Sequence, residues 1–189
     1  MDENVRLMLA FRDGHEAAYD TLFRRWAGPL LRFVERMVSD AGTAEELVQE
    51  VFLRVYRARD RYSPDARFST WLYRIATNLA LNELRRPRRR VHHQSTFDEE
   101  GAPVDLEAEQ PGIDAVVDAR RAGAALEARL SELPERQRAA LWLTAVEGFS
   151  YAEVASTLET TEKSVKALVH RARSSLAACT TARQREAVR

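Results

Sequence analysis

Apolar residues recur along this chain at intervals of three and four, in blocks set apart by Gly, Pro and polar clusters. That is the pattern of amphipathic helices sharing a core. Leu7, Leu9, Ala10 and Phe11 predict a short first helix, broken at Gly14. Ala18, Leu22, Phe23, Trp26, Leu30, Phe33, Val34 and Met37 predict a longer second helix, which Gly28-Pro29 is expected to kink or split. A capping box of Thr43 and Glu46 introduces a third, whose buried stripe is Val48, Val51, Phe52, Val55 and Tyr56. Pro64 interrupts the pattern. Ser69 is then expected to cap a fourth helix that runs to about Arg86 and stops at Pro87.

The helical period returns in the C-terminal part of the chain. Helices are predicted near Val116–Leu130 and Pro134–Val146, with Gly148 as a stop. Ser150 caps a short helix, Glu153 completes its capping box, and Val154, Ala155 and Leu158 face inward. Glu159-Thr160-Thr161 makes the turn into a longer helix from Glu162 to about Ala178, with Val165, Leu168, Val169, Ala172 and Leu176 inside. Its outer face carries Lys163, Lys166, Ala167 and His170, flanked by Arg171 and Arg173. A short helix, a tight turn and a basic second helix describe a DNA-binding helix-turn-helix or an ordinary helical hairpin.

Composition narrows the class. Of 189 residues, 45% are hydrophobic and 31% charged, enough to bury a core and stay soluble. No stretch of 18 apolar residues exists, and Asp2-Glu3 stand where a secretion signal would be basic and then apolar, so neither a membrane span nor export is expected. The single cysteine, Cys179, rules out an internal disulfide and a four-cysteine zinc site, and is read as an inert thiol. His92-His93 has no further ligand at a metal spacing, and no Ser–His–Asp set or glycine-rich phosphate loop is present. No catalytic residue, metal or cofactor is therefore assigned. A cytoplasmic, all-α, non-enzymatic protein is expected.

The net charge is zero, but its distribution is uneven. Residues 1–90 hold 17 Arg against 13 acids, residues 91–118 hold 8 acids and no base, and residues 119–189 hold 12 bases against 8 acids. Two basic blocks joined by an acidic strap fit two polyanion-binding modules on a tether, or a plain solvated spacer. The stretch from His92 to Gly112 has no period and two Gly-Pro-rich knots, so a flexible linker is predicted there.

The fourth helix has two faces. Leu72, Ile75, Ala76, Leu79 and Ala80 point to the core, while Trp71, Arg74, Asn78, Asn82 and Arg85 form an aromatic, amide and cationic stripe. Such a stripe suits single-stranded nucleic acid, because rings stack on bases and Arg meets phosphate. It also suits a half-buried Trp beside a solvated face.

Three collinear stretches then carry a resemblance: AEELVQEVFLRVYRARDRY at 44–62, FSTWLYRIATNLALNELRR at 68–86, and LPERQRAALWLTAVEGFSYAEVASTLETTEKSVKALVHRARSSL at 133–176. Together the chain resembles a bacterial RNA polymerase sigma factor of the extracytoplasmic-function group, group IV of the sigma-70 family. The resemblance implies a sigma domain 2 over 1–90, a flexible acidic linker over 91–115, a sigma domain 4 over 116–180 and a tail over 181–189. It implies that Glu46, Gln49, Glu50, Leu53 and Arg57 dock on core RNA polymerase, where a solvated face laced by Glu50–Arg54 is the alternative. Tyr62, Arg67, Phe68, Trp71, Arg74, Asn78, Asn82, Arg85 and Arg86 would meet the melted −10 strand, with the Tyr62–Phe68 loop holding a base pocket. Lys163, Ser164, Lys166, Ala167, His170, Arg171 and Arg173 would meet −35 duplex, His170 at a base edge or a phosphate and Arg173 at phosphate.

The implied partners are core polymerase, promoter DNA and an inhibitory anti-sigma factor, with the free protein monomeric and not inserted in a membrane. The 28 residues of the acidic strap, 91–118, reach roughly 95 Å extended. Two DNA sites some 25 base pairs apart, at ~3.4 Å each, are about 85 Å apart. The tether bridges them only when drawn out, as where the family's linker passes through the polymerase RNA channel. One departure stands out: Glu159-Thr160 fill turn positions where the family has a small residue or Gly and then an aliphatic, so Glu159 is expected to take a positive φ. Ala167 likewise stands where Ser is common. The rival reading is a free-standing helix-turn-helix regulator that binds duplex without polymerase.

Overall fold

The computed structural model describes residues 2–86 and 126–186, with side chains as far as residue 177. Every regular element in it is helical: α1 Glu3–Arg12, α2 Glu16–Val38, α3 Ala41–Arg57, a 3-10 turn Arg59–Arg61, α4 Phe68–Arg85, helical residues 126–132, α5 Glu135–Ala145, α6 Tyr151–Thr157 and α7 Glu162–Glu186. Helices α1–α4 form one bundle and α5–α7 a second. The predicted linker, His92-His93 and Arg88–Arg90 lie outside the described residues, as does the side chain of Cys179.

Local chemistry explains the boundaries, and several differ from the sequence reading. Asp2 caps α1, accepting from the Asn4 amide at 3.2 Å, and Gly14 at φ 99° ends it. Its buried face is Val5, Met8 and Phe11. Of the predicted stripe only Phe11 is fully buried, and Leu7, Leu9 and Ala10 are partly covered. α2 runs unbroken through Pro29. An internal Pro costs ~3 kcal/mol. Beyond it Leu30, Phe33, Val34 and Met37 are all buried, at roughly 1.5–3 kcal/mol each, and this outweighs the cost.

The cap of α3 is Asp40, not Thr43: the Asp40 carboxylate accepts from the Thr43 amide at 2.7 Å, so the helix begins before the predicted box. Only Ser39, left-handed at φ 57°, and Asp40 separate α2 from α3. α4 likewise starts at Phe68, drawn in by that ring's burial, with Arg67 at the cap position and Ser69 inside the first turn. In the second bundle the Ser150–Glu153 capping box forms in both directions. Gly148 takes φ 69° at the predicted stop, and Glu159 takes φ 49°, as the resemblance implied. α7 continues past Ala178 to Glu186.

The two bundles share a joint. Arg138 of α5 is only 7% exposed and inserts at the C-terminal end of α2, donating to the carbonyls of Arg36 and Met37 at 3.1 and 2.8 Å. It also donates to the carbonyls of Ser131 and Leu133 at 2.6 and 3.0 Å. Last-turn carbonyls carry the negative end of the helix dipole, which suits a cation there. Burial holds this guanidinium below its ordinary pKa, and Glu135 opposes the shift. Arg36 also pairs with Glu127, and Tyr73 of α4 meets Phe149 with ring centroids 5.4 Å apart.

Candidate polymerase and nucleic-acid interfaces

Three surfaces carry the residues singled out from the sequence. On α3, Glu46, Gln49, Leu53 and Arg57 are exposed and Glu50 is half-buried, all turned from Ala44, Val48, Val51, Phe52 and Val55. Glu50 accepts from Arg54 at 2.7 Å, which lowers its carboxyl pKa. Leu53 is 48% exposed, and Tyr56, one turn on, is 39% exposed where burial was expected. Phe23, assigned to the core of α2, is also exposed and packs edge-on against Phe52 at 4.7 Å. The apolar rim beside Leu53 is thus wider than the sequence suggested. Helical periodicity places Phe23 and Tyr56 at the edge of each stripe, where a core and a docking position look alike.

On α4 the stripe divides. Trp71 is half-buried and rests on Tyr62 and Phe68, with centroids 5.0 and 5.9 Å away. Tyr62 and Phe68 are themselves buried, so they floor the Trp71 platform and cannot line an open base pocket as expected. Burial, with the charges of Asp2 and Asp65 adding to it, pushes the Tyr62 phenol up to about 12. Asn82, Arg85 and Arg86 are exposed, Asn78 is half-buried, and Arg86 pairs with Glu83 at 2.9 Å. Thr70, Tyr73 and Thr77 are also buried, and Tyr73 packs on Phe149 of the second bundle, a neighbour that a single-helix period cannot reveal.

On α7, Lys163, Lys166, His170, Arg171 and Arg173 all project outward, with Ser164 and Ala167 half-buried between them. Thr161 accepts from the Ser164 amide at 3.2 Å and so caps the helix start. A groove of about 380 Å³ lies between Tyr151 and the outer residues Lys166, His170 and Arg173. The sequence reading did not include Tyr151, which lines that groove. Among the described residues no cluster of His, Cys, Asp and Glu is arranged to hold a metal ion, and no helix is long and apolar enough to cross a membrane.

A family model described as Sigma-70 region 2 matches residues 22–90, and one described as Sigma-70, region 4 matches residues 123–176. The chain belongs to the sigma-70 family of RNA polymerase sigma factors. Its relatives place it in the extracytoplasmic-function group. It is 37% identical over 169 residues to the ECF sigma factor SigE of Mycolicibacterium smegmatis, a match covering 86% of this chain but only 63% of that protein. It is 35% identical to the ECF sigma factor EcfG of Rhodopseudomonas palustris, covering 80% of each chain. In fold it is similar to CnrH, solved in complex with the cytosolic domain of CnrY, with a TM-score of 0.71 and 24% identity over 96% of this chain and 99% of that one. Region 2 of this sigma factor therefore spans most of α2 through α4, and region 4 holds α5, α6 and the body of α7. As a sigma factor it binds core RNA polymerase and promoter DNA in transcription initiation.

Proposed function

We propose that this sigma factor docks core polymerase on the exposed face of α3, opens −10 DNA along α4 and reads −35 duplex with α7. The observation that carries the reading is the Trp71 platform. A half-exposed indole, braced from below by two buried rings, stands at the head of a stripe with Arg74, Asn78, Asn82 and Arg85. Extruded bases need such a stacking surface, because unstacking costs a few kcal/mol per base. Arg67 and Arg86 flank the stripe at its two ends, and Tyr62 and Phe68 act by holding Trp71 in place.

Glu46, Gln49, Glu50 and Arg57 surround Leu53 with the polar rim typical of a protein-binding surface, and Phe23 and Tyr56 extend its apolar centre. Such a face needs cover when polymerase is absent, which fits a cytoplasmic protein kept inactive by an anti-sigma partner. On α7, Lys163, Lys166, His170 and Arg171 lie toward the major groove, Ser164 and Ala167 fit close to the backbone, and Arg173 holds phosphate. The region 2 match disfavours the free-standing regulator, which would have no use for a polymerase-docking bundle.

In vitro transcription with core polymerase on a genomic fragment library tests the reading. Wild-type protein should direct discrete starts, and Gln49→Ala with Leu53→Arg should lose core binding while keeping its helical circular dichroism. Trp71→Ala should bind core normally yet lose most permanganate reactivity in the promoter bubble. An unchanged footprint at normal occupancy would make Trp71 purely structural.

A further inference from the structure

Helix α1 precedes the region 2 match, which begins at residue 22, yet it is tied to the Trp71 platform. The connection starts at Asn4, the second residue of α1. Its side-chain oxygen accepts from Trp26 Nε1 at 3.3 Å and from Arg25 Nη1 at 2.8 Å, both on α2. Its Nδ2 donates at 3.1 Å to the Asp2 carboxylate oxygen that also caps α1 through the Asn4 backbone amide.

These three partners fix which way the amide faces, because two donors need its oxygen and the carboxylate needs its NH2 group. Asparagine supplies both from one planar group. Aspartate would set a second carboxylate against Asp2, and an apolar residue would leave the half-buried Trp26 N–H without its acceptor.

From Trp26 the path continues through rings. The indole leans on Phe68 with centroids 6.2 Å apart and meets Tyr73 edge-on at the same distance. Phe68, wholly buried, touches both Tyr62 and Trp71, at 6.4 and 5.9 Å. The charge of Asp2 also acts on the Tyr62 phenol, whose hydroxyl is buried with no hydrogen-bond partner among the described residues. The first turn of α1 thus lies near both rings that floor the platform. Close-packed side chains transmit a displacement because few voids are present to absorb it.

We propose that Asn4 is a positioning residue for promoter melting: its amide fixes the Trp26 indole, Trp26 sets Phe68, and Phe68 sets the tilt of the Trp71 ring on which an extruded base stacks. The inference rests on reading Trp71 as the base platform. A control stands one residue away. The Glu3–Arg25 ion pair, at 3.0 Å, ties the same two helices through exposed side chains, and such pairs add little.

The chain has three tryptophans, so full-length protein labelled with fluorotryptophan gives three fluorine resonances, assigned with Trp26→Phe, Trp71→Phe and Trp142→Phe. Asn4→Leu, similar in size but unable to accept, should move the Trp26 resonance and that of Trp71 with it. Glu3→Gln should move neither. In holoenzyme, Asn4→Leu should keep core binding and closed-complex occupancy, and should slow open-complex formation, followed by permanganate, about tenfold, equivalent to ~1.4 kcal/mol. The exchange of Asp2→Asn with Asn4→Asp keeps a helix cap, an acceptor for Trp26 and an amide facing a carboxylate. It should restore both the Trp71 resonance and the rate.

A Trp71 resonance that Asn4→Leu leaves in place overturns the proposal, and so does a moved resonance with wild-type melting. Trp26→Phe removes the same N–H while keeping a ring against Phe68, and repeats both measurements should Asn4→Leu fold poorly. Failure of the platform reading would show separately, as normal promoter melting by Trp71→Ala holoenzyme.

Discussion

Helices α4 and α7 are both assigned to promoter DNA, yet they are built in opposite ways. α7 buries one stripe, Val165, Val169 and Ala172, and turns its cations to solvent; among the described residues Lys163, Lys166, Arg171 and Arg173 make no ion pair. α4 is enclosed on two sides: Phe68, Leu72, Ala76 and Ala80 are buried in its own bundle, and Tyr73 packs on Phe149 of the second. Two of its cations are already engaged by carboxylates. A helix that enters an intact groove needs only rigidity and display. A helix that accepts unpaired bases must keep an aromatic surface from sticking to the wrong partner, and here the same chain covers its flank.

The largest expected effect comes from breaking the joint that makes the two helices differ. Arg138→Met removes a buried cation from four carbonyls and should cost about 3 kcal/mol in chemical denaturation. A loss below ~0.5 kcal/mol would mean that the joint adds nothing to stability.

On the open helix the expectation reverses. Arg171→Ala and Arg173→Ala should each leave stability within ~0.5 kcal/mol, but Arg171→Ala should shift preference at one −35 position by ~1–3 kcal/mol. Arg173→Ala should weaken all sequences alike and lower the salt slope by about one. A randomised −35 library separates the two, and exchanged phenotypes would show that α7 is rotated from the orientation assigned to it.

The smallest effect is on pH. Glu127 and Glu159 face Arg36 and Arg74 across the joint, and these partners hold both carboxyls below the ordinary 4.5. A depressed folded-state pKa contributes stability above the ordinary value and loses it as pH falls through the lowered one. The interbundle distance should therefore be constant from neutral pH down to about 4.5 and lengthen only below it. Opening near pH 6 would contradict this assignment.

Much of the molecule was legible in the chain because its signals are local. The Ser150–Glu153 box and the stops at Gly14 and Gly148 each depend on a few neighbouring residues, and each stands as expected, while the positive φ of Glu159 followed from the family resemblance. Pro29 and Thr43 misled for a different reason. Burial beyond Pro29 overrode its local cost, and Asp40 claimed the amide that Thr43 was expected to leave for its own helix. The burial of Tyr73, Thr77 and Arg138 had no local signal at all. A period shows which face of a helix is apolar, whereas Tyr73 and Arg138 are each covered by the other bundle, far away along the chain. For the same reason the aromatic floor formed by Tyr62 and Phe68 could be placed beside Trp71 in sequence but not beneath it in space.

The reach of Arg138 also bears on how the protein is made. Its guanidinium satisfies the end of α2 from 101 and 102 residues downstream. At roughly 5–20 residues per second, the ribosome finishes α2 about 5–20 s before it delivers that cap. Throughout that interval the newly made α2 lacks this cap on its last carbonyls, two residues before α3 begins. Synthesis itself thus produces, for a matter of seconds, a sigma region 2 with its α4 flank uncovered.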